Sequence, residues 1–437
     1  MDIQVESNAG RMPLDIWRQV FRSCLPDDEF LQPSPTIAPL LLGGICRDWR
    51  AAALSMSNLW SFLSVTVTKE GITPNIHLIS TWLNRAIPHS LSISLTFHGR
   101  PGDHAYTNVE LALHSFLPYF RFWKRIVIRV GPFLHLDSLL QLPVSEDSCL
   151  EDLDIFLPAS VQEASQPLDH IFQYSPLLRH LTLTTALPER GDHDPMFSLP
   201  LSRLTSLHLE SPMFSMDNCR ELLQQCPKLV EFTYRNMWGG FQRTRNDLPI
   251  ILRDLQVLWL SSTSSEMNIF FDSFTFPSLS AVHFLAPYPF PTHAFVTLLR
   301  RSSCSLLTLS LTVSMTDRDL IQCLLSCTTL LVLSLNTAVP DEPFVTDSVL
   351  KLLTVESSGT IVRACPKLES IELGAFCTSS TDGLLAAMLQ SRYTNDDSAD
   401  MICLTKATVS VPESNMDDLL QLTEMEMPGL TINMHGI

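Results

Sequence analysis

Basic residues are scarce: 29 Lys and Arg stand against 46 Asp and Glu in a chain of 437 residues, a formal net charge of −17. Phosphate contacts need clustered cations, so this balance argues against a nucleic-acid partner. It suits a basic protein partner, or simply solubility. Long apolar runs are missing too. Leu40-Leu41-Leu42 gives way at once to Gly43-Gly44 and then Arg47-Asp48, well short of the roughly 20 residues that span a bilayer. No basic region followed by an apolar stretch opens the chain. The expectation is a soluble protein of the cytoplasm and/or nucleus, with no membrane partner.

The chain also lacks Cys-x-x-Cys. Its eleven cysteines, without a secretory signal, read as reduced thiols. Cys323 and Cys327 are four apart on an expected helix, with no second ligand pair at zinc-finger spacing, so no metal is expected. There is no Gly-rich phosphate loop, no His-Glu-x-x-His and no Gly-x-Ser-x-Gly elbow. Gly191-Asp192-His193-Asp194 sits between Glu189-Arg190 and Pro195 and reads as a solvated loop. No catalytic residue and no cofactor is assigned, and the chain is read as a non-enzyme.

What is present is a repeat. Apolar residues make up 45% of the chain and charged residues 17%, enough for a large core. An apolar residue, a second three positions on and a third two beyond recur as Leu150, Leu153, Ile155 and Leu178, Leu181, Leu183. The pattern continues with Leu204, Leu207, Leu209; Leu229, Phe232, Tyr234; Leu255, Leu258, Leu260; and Leu279, Val282, Phe284. Leu306, Leu309, Leu311; Leu330, Leu333, Leu335; and Leu368, Ile371, Leu373 complete the clear set. Trp123, Ile126, Ile128 fits one step upstream, Trp60, Leu63, Val65 marks an earlier strand, and Leu404, Ala407, Val409 is a poor copy.

The last two positions of each unit alternate with mostly polar residues, as a strand with one buried face requires. About three turns of helix fit between strands; Thr316 is placed as an N-cap, and Met216 to Cys226 as another helix. Each β–α unit is too small to bury its own apolar face, so neighbours must stack. The expected fold is α/β: a single curved parallel sheet with helices on the convex side. Strands are expected near residues 154, 182, 208, 233, 259, 283, 310, 334 and 372.

Three residues ahead of the triad stand Ser175, Leu201, Cys226, Phe276, Cys327 and Cys365, four of them followed by Pro, which stops the preceding helix. Cys226-Pro227-Lys228-Leu229 and Cys365-Pro366-Lys367-Leu368 resemble the cysteine-containing leucine-rich repeats of F-box proteins. Those cysteines read as small buried spacers.

The first sixty residues are different. An amphipathic helix is expected over 12–25, with Pro13 in its first turn and Ile16, Trp17, Val20, Phe21, Cys24 and Leu25 on one stripe. A second helical stretch, Ala38 to Leu54, carries Leu42, Ile45, Cys46, Trp49 and Ala53 at helical spacing. Gly43-Gly44 should break it in two, at about 1 kcal/mol per Gly.

Met12-Pro13-Leu14-Asp15-Ile16, Ile45-Cys46-Arg47-Asp48-Trp49 and Leu59-Trp60, in that order, resemble the opening, centre and close of an F-box, and the extended loop Leu25-Pro26-Asp27-Asp28-Glu29 to Pro33-Ser34-Pro35, before Ala38-Pro39-Leu40-Leu41-Leu42, is similar to a fungal type of it. The resemblance implies a three-helix module docking on a Skp-type adaptor and, through it, a cullin. By that carry-over Pro13, Leu14, Ile16, Trp17, Val20, Leu25, Cys46, Trp49 and Trp60 belong to the docking surface or to its supporting core. The organisation read is 11–60 F-box, 61–119 linker and degenerate first repeats, 120–411 leucine-rich-repeat solenoid, and 412–437 C-terminal cap or tail.

In such a repeat the residues alternating with the apolar triad face the concave side. Phase places Arg125, Arg129, Asp152, Asp154, Phe156, His180, His208, Glu210, Glu231, Arg235, Trp259, His283 and Glu372 there. Of these, Asp152, Asp154, His180, His208, Glu210, Glu231, Arg235, Trp259 and His283 are the candidate substrate-binding set. Trp259 is either exposed between Thr233 and His283, with Arg235 close by, or covered by the Trp238-Gly239-Gly240-Phe241 loop or the C-terminal tail. The expected function is substrate recognition for an SCF-type ubiquitin ligase; the alternative is a non-ligase protein-binding scaffold whose helical segment only caps the solenoid.

Overall fold

A computed structural model describes residues 13–99, 106–130, 139, 141–142, 148–157, 169–185, 201–210, 216–237, 248–262, 267–339, 342–355, 364–393, 403–425 and 427–435. The chain divides into two compact units, Met1–Leu204 and Thr205–Ile437. The loops at 191–194 and 238–241 lie outside the described residues.

The first unit opens with helices Leu14–Ser23, Leu40–Ile45 and Arg47–Ser55, followed by a 3-10 turn, Ser57–Trp60. The break between the second and third helices falls at Cys46, not at Gly43-Gly44. Cys46 is extended, and its Sγ accepts a hydrogen bond from Trp49 N at 3.4 Å, capping the third helix. Gly43 stays helical, and its carbonyl accepts Arg50 Nε at 2.7 Å. A cap and a bonded carbonyl outweigh the propensity cost of two glycines. Because the break shifts the phase, only Leu42 and Ala53 of the expected stripe are buried, while Ile45 and Cys46 are exposed.

Six strands follow: β1 (Phe62–Thr68), β2 (Gly71–Thr73), β3 (Leu91–His98), β4 (Trp123–Arg129), β5 (Asp152–Leu157) and β6 (His180–Thr185). Their order is β2-β1-β3-β4-β5-β6, parallel throughout except for the β1–β2 hairpin. Ile93, Ile126, Leu153 and Leu181 share one row, and Leu95, Ile128, Ile155 and Leu183 the next. The apolar positions therefore line up, as the repeat requires.

The second unit contains β7 (Ser206–Glu210), β8 (Glu231–Met237), β9 (Ile250–Ile251), β10 (Val257–Ser262), β11 (Phe274–Thr275), β12 (Ala281–Pro289), β13 (Thr308–Ser314), β14 (Val332–Thr337), β15 (Val345–Thr346), β16 (Ser370–Leu373), β17 (Thr378–Ser379), β18 (Lys406–Pro412) and β19 (Leu430–His435). Nine of them form a parallel sheet in the order β7-β8-β10-β12-β13-β14-β16-β18-β19. The poor copy around Leu404 is thus a full member: Ala407 pairs with Ile371 and Val409 with Leu373. A further strand follows it.

Two hydrogen-bonded devices repeat. The N–H of the triad's first residue bonds the carbonyl three residues back, in Leu178–Ser175, Leu204–Leu201, Leu229–Cys226, Leu279–Phe276, Leu330–Cys327 and Leu368–Cys365, at 3.0–3.3 Å. At successive strand entries in the second unit, two neighbouring N–H groups share one carbonyl of the previous repeat: Gln256 and Val257 on Val230, Ser280 and Ala281 on Gln256, Leu307 and Thr308 on Ser280. These bonds satisfy the backbone where helix gives way to strand.

Behind the sheet the apolar rows meet helices. Phe232 stacks on Phe270 at 6.5 Å, and Phe271 lies against Phe284 and Phe295 at 5.9 and 5.5 Å. Cys226, Cys327 and Cys365 are buried in this layer, and burial pushes the Cys226 thiol up to about 12 and that of Cys365 to about 11. Such thiols stay protonated and pack as small apolar groups. Thr316 is the N-cap of helix Asp317–Ser326, in a reciprocal capping box with Asp319. Among the described residues, no helix is long and apolar enough to cross a membrane.

Candidate binding surfaces

The N-terminal helices sort their apolar residues into two groups. Trp17, Phe21 and Trp49 form a mutual cluster with ring centroids 5.1–5.2 Å apart, locking the first helix to the third. Phe21 is fully buried, and Trp17 and Trp49 are half-buried. Trp60 is only 2% exposed; it packs edge-on against Trp82 at 4.8 Å, lies under the Arg85 guanidinium, and donates its indole N–H to Ala53 O. Trp60 is thus core, not surface.

The second group faces out. Ile16 and Val20, one turn apart, are 45% and 39% exposed, and Pro13 and Cys46 are also exposed. Leu41, Ile45 and Leu54, which are not among the docking candidates read from the sequence, are 43%, 54% and 43% exposed. Leu25 is half-buried, and the Leu14 side chain lies outside the described residues. Each of the three helices thus presents large apolar side chains to solvent. Helical spacing i, i+4 in Ile16/Val20 and Leu41/Ile45 was the available signal, legible once the inward face is known.

The loop between the first two helices ties this segment to the sheet. Glu29 pairs with Arg125, the Phe30 ring lies 5.5 Å from the same guanidinium, and Leu31 O accepts Ser64 N at the edge of β1. Arg125 Nε also lies 3.1 Å from Asp152 Oδ2. On the next residue pair along, Arg129 bonds Asp154, which is only 5% exposed. Asp154 was expected on the open face, but the Arg129 side chain covers it. Burial raises the Asp152 carboxyl above its usual range, against the opposing pull of Arg125 and His180. The acidic cluster is therefore largely neutralised by its own chain.

In the second unit, strand register places His208, Thr233, Trp259, His283, Ser310, Ser334 and Glu372 in one row across neighbouring strands. Trp259 has the neighbours that phase assigns to it. It is half-buried, and the Arg235 guanidinium stacks 4.8 Å from its ring centroid, an arrangement that fixes both side chains. His283 is half-buried, and desolvation lowers its pKa. Glu231 and Arg235 are exposed; His208 and Glu210 are half-buried. Glu372 is exposed and accepts Ser334 Oγ at 3.1 Å. The face is an aromatic–cation pair beside a run of hydroxyls, with charges of both signs at its margins.

Among the described residues, no group of three His, Cys, Asp or Glu side chains is arranged to hold a metal. No protein-family model matches the chain, and no curated protein matches it. Among solved structures it is similar to the Rad7 and Elc1 complex in yeast, at 14% identity over 70% of this chain and 83% of that one, with a TM-score of 0.32.

Proposed function

We propose that the chain is a non-catalytic substrate receptor of an SCF-type ubiquitin ligase, acting in the cytoplasm and/or nucleus. Residues 11–60 dock on a Skp-type adaptor, and the sheet of leucine-rich repeats presents a protein substrate. The observation that carries this reading is the solvent-facing apolar set Ile16, Val20, Leu41, Ile45 and Leu54, on helices whose sequence resembles an F-box. Large apolar side chains left exposed on adjacent helices mark a surface that a partner covers, and a helical apolar face suits a groove on that partner. The receptor's contribution to transfer is proximity.

A second reading rests on Trp60. Its burial against Trp82 and its bond to Ala53 make the helical segment an integral cap of its unit, which is all a protein-binding scaffold would need. Co-purification separates the two. The full chain expressed with a Skp-type adaptor should elute with it as one complex; separate elution would leave only the scaffold.

Substrate capture is assigned to the row around Trp259. Trp259→Ala should weaken substrate binding by ~2 kcal/mol or more, as removal of an interface aromatic commonly does, while adaptor binding is unchanged. The readout is substrate recovered by the adaptor-bound receptor. Undiminished recovery would remove Trp259 from the binding face.

A further inference from the structure

In the first unit a cleft of about 490 Å³ opens between the end of the first helix and the entry points of β1, β3, β4, β5 and β6. Arg22 and Leu25 form its helix wall. Its strand wall runs from Ser61 and Ser92 through Arg125 to Asp152 and His180, the last four being neighbours in register.

Charge is unevenly distributed along that wall. Both lining carboxylates, Glu151 and Asp152, belong to the β5 side and are already held, by Lys124 at 3.6 Å and Arg125 at 3.1 Å. The β1–β3 side carries Asn58, Ser61, His89, Ser90 and Ser92 and no carboxylate. Across from it, Arg22 is exposed and has no ion pair among the described residues. Ser61 is 7% exposed, and its buried Oγ has no hydrogen-bond partner among the described residues. A buried hydroxyl left unbonded is costly, and a ligand oxygen at its position would remove that cost.

We propose that the β1–β3 side of this cleft binds a phosphate group, with Arg22 supplying positive charge and the His89 ring, the Ser61, Ser90 and Ser92 hydroxyls and the Asn58 amide supplying further donors. A donor set spread over a helix, two turns and a strand suits a tetrahedral anion with several oxygens; a planar carboxylate would leave part of it unused. The site does not depend on adaptor docking, so either proposal can fail alone.

The test is thermal unfolding of the full chain in inorganic phosphate and, separately, in a short phosphoserine peptide, each against potassium chloride of equal ionic strength. Stabilisation that saturates with concentration is expected from at least one of them, as mass action requires for a ligand of the folded state. Which one acts distinguishes a free phosphate from a peptide-borne one. Arg22→Glu, on an exposed helix end, should leave the ligand-free melting temperature unchanged and weaken phosphate about tenfold or more. Ser61→Ala should weaken phosphate as well, without lowering the ligand-free melting temperature, which a purely structural hydroxyl would do. Stabilisation no greater than that from chloride with both ligands, or wild-type phosphate affinity in folded Arg22→Glu, would overturn the proposal.

Discussion

Leu209→Asp is expected to lower the thermal transition of residues 205–437 by on the order of 10 °C. Leu209 is 1% exposed and lies beside Tyr234 in the next strand, which is fully buried. Replacing it removes a buried leucine and leaves an unpaired carboxylate between stacked repeats. Together these cost about 4 kcal/mol or more; for a unit of this size each kcal/mol shifts the midpoint by about 2–4 °C. Because each repeat contacts mainly its neighbours, the damage should appear first as loss of amide protection in β7 and β8. Leu209→Met, which keeps the volume, should cost no more than ~1.5 kcal/mol. Equal stability of the Asp and Met variants, by calorimetry and hydrogen exchange, would contradict the stacked-repeat core.

Arg392→Met should be nearly as damaging, for a different reason. Arg392 is 2% exposed, and its guanidinium donates from Nη1 to Cys365 O at 3.0 Å, from Nη2 to Ala364 O at 2.9 Å and from Nε to Leu353 O. It therefore clamps the turn that precedes β16 to the helix ending at Leu353. Methionine fills similar space but leaves three buried carbonyls without that donor, at roughly 1–3 kcal/mol each before any water enters. The expected loss in urea unfolding is ~3 kcal/mol or more. Arg392→Lys should recover only part of it, because one ammonium cannot reproduce the planar fan of donors. Full recovery by lysine would show that charge, not geometry, is what matters there.

Nothing in the sequence near Arg392 announced this role. An Arg on a helix among Gln390, Ser391 and Tyr393 looks like a solvated position, and the carbonyls it serves are 27 to 39 residues away in sequence. The repeat, by contrast, was legible because each strand must place two apolar residues on one face at fixed spacing. Its failures have the same cause. β3 has Ile93 and Leu95 in register with Ile126 and Ile128, but Ser90 stands where the first apolar residue would be, so the triad does not show. β19 has Met427, Leu430 and Ile432 at triad spacing, with Leu430 paired to Ala407 and Ile432 to Val409. Among the described residues it pairs on one flank only, with β18, and its Leu430 and Ile432 are correspondingly half-buried.

Binding faces were harder to read than strands. Alternation places Asp154 and Trp259 on the side opposite the apolar rows, and it does so correctly for both. It carries no information on what else lies over that side. Arg129 covers Asp154, and Arg235 stacks on Trp259; in both cases a long cation two strand-lengths of sequence or more away bends over its neighbour. At the N-terminus the helices and their apolar residues were legible, while the division of those residues into core and surface was not. That division depends on where the helix breaks, and Cys46 decided it by capping through sulfur.

The most direct test of the account is a titration of the purified full chain with a purified Skp-type adaptor by isothermal calorimetry, for the wild type and for the Ile16→Asp, Val20→Asp double variant. Both side chains are exposed, so the variant should keep the wild-type melting temperature. The account predicts one-to-one binding by the wild type and loss of about a hundredfold or more in the variant, since two desolvated anchors at ~1.5 kcal/mol each exceed that factor. Equal affinity of the wild type and a folded double variant, or no binding by either, would contradict it.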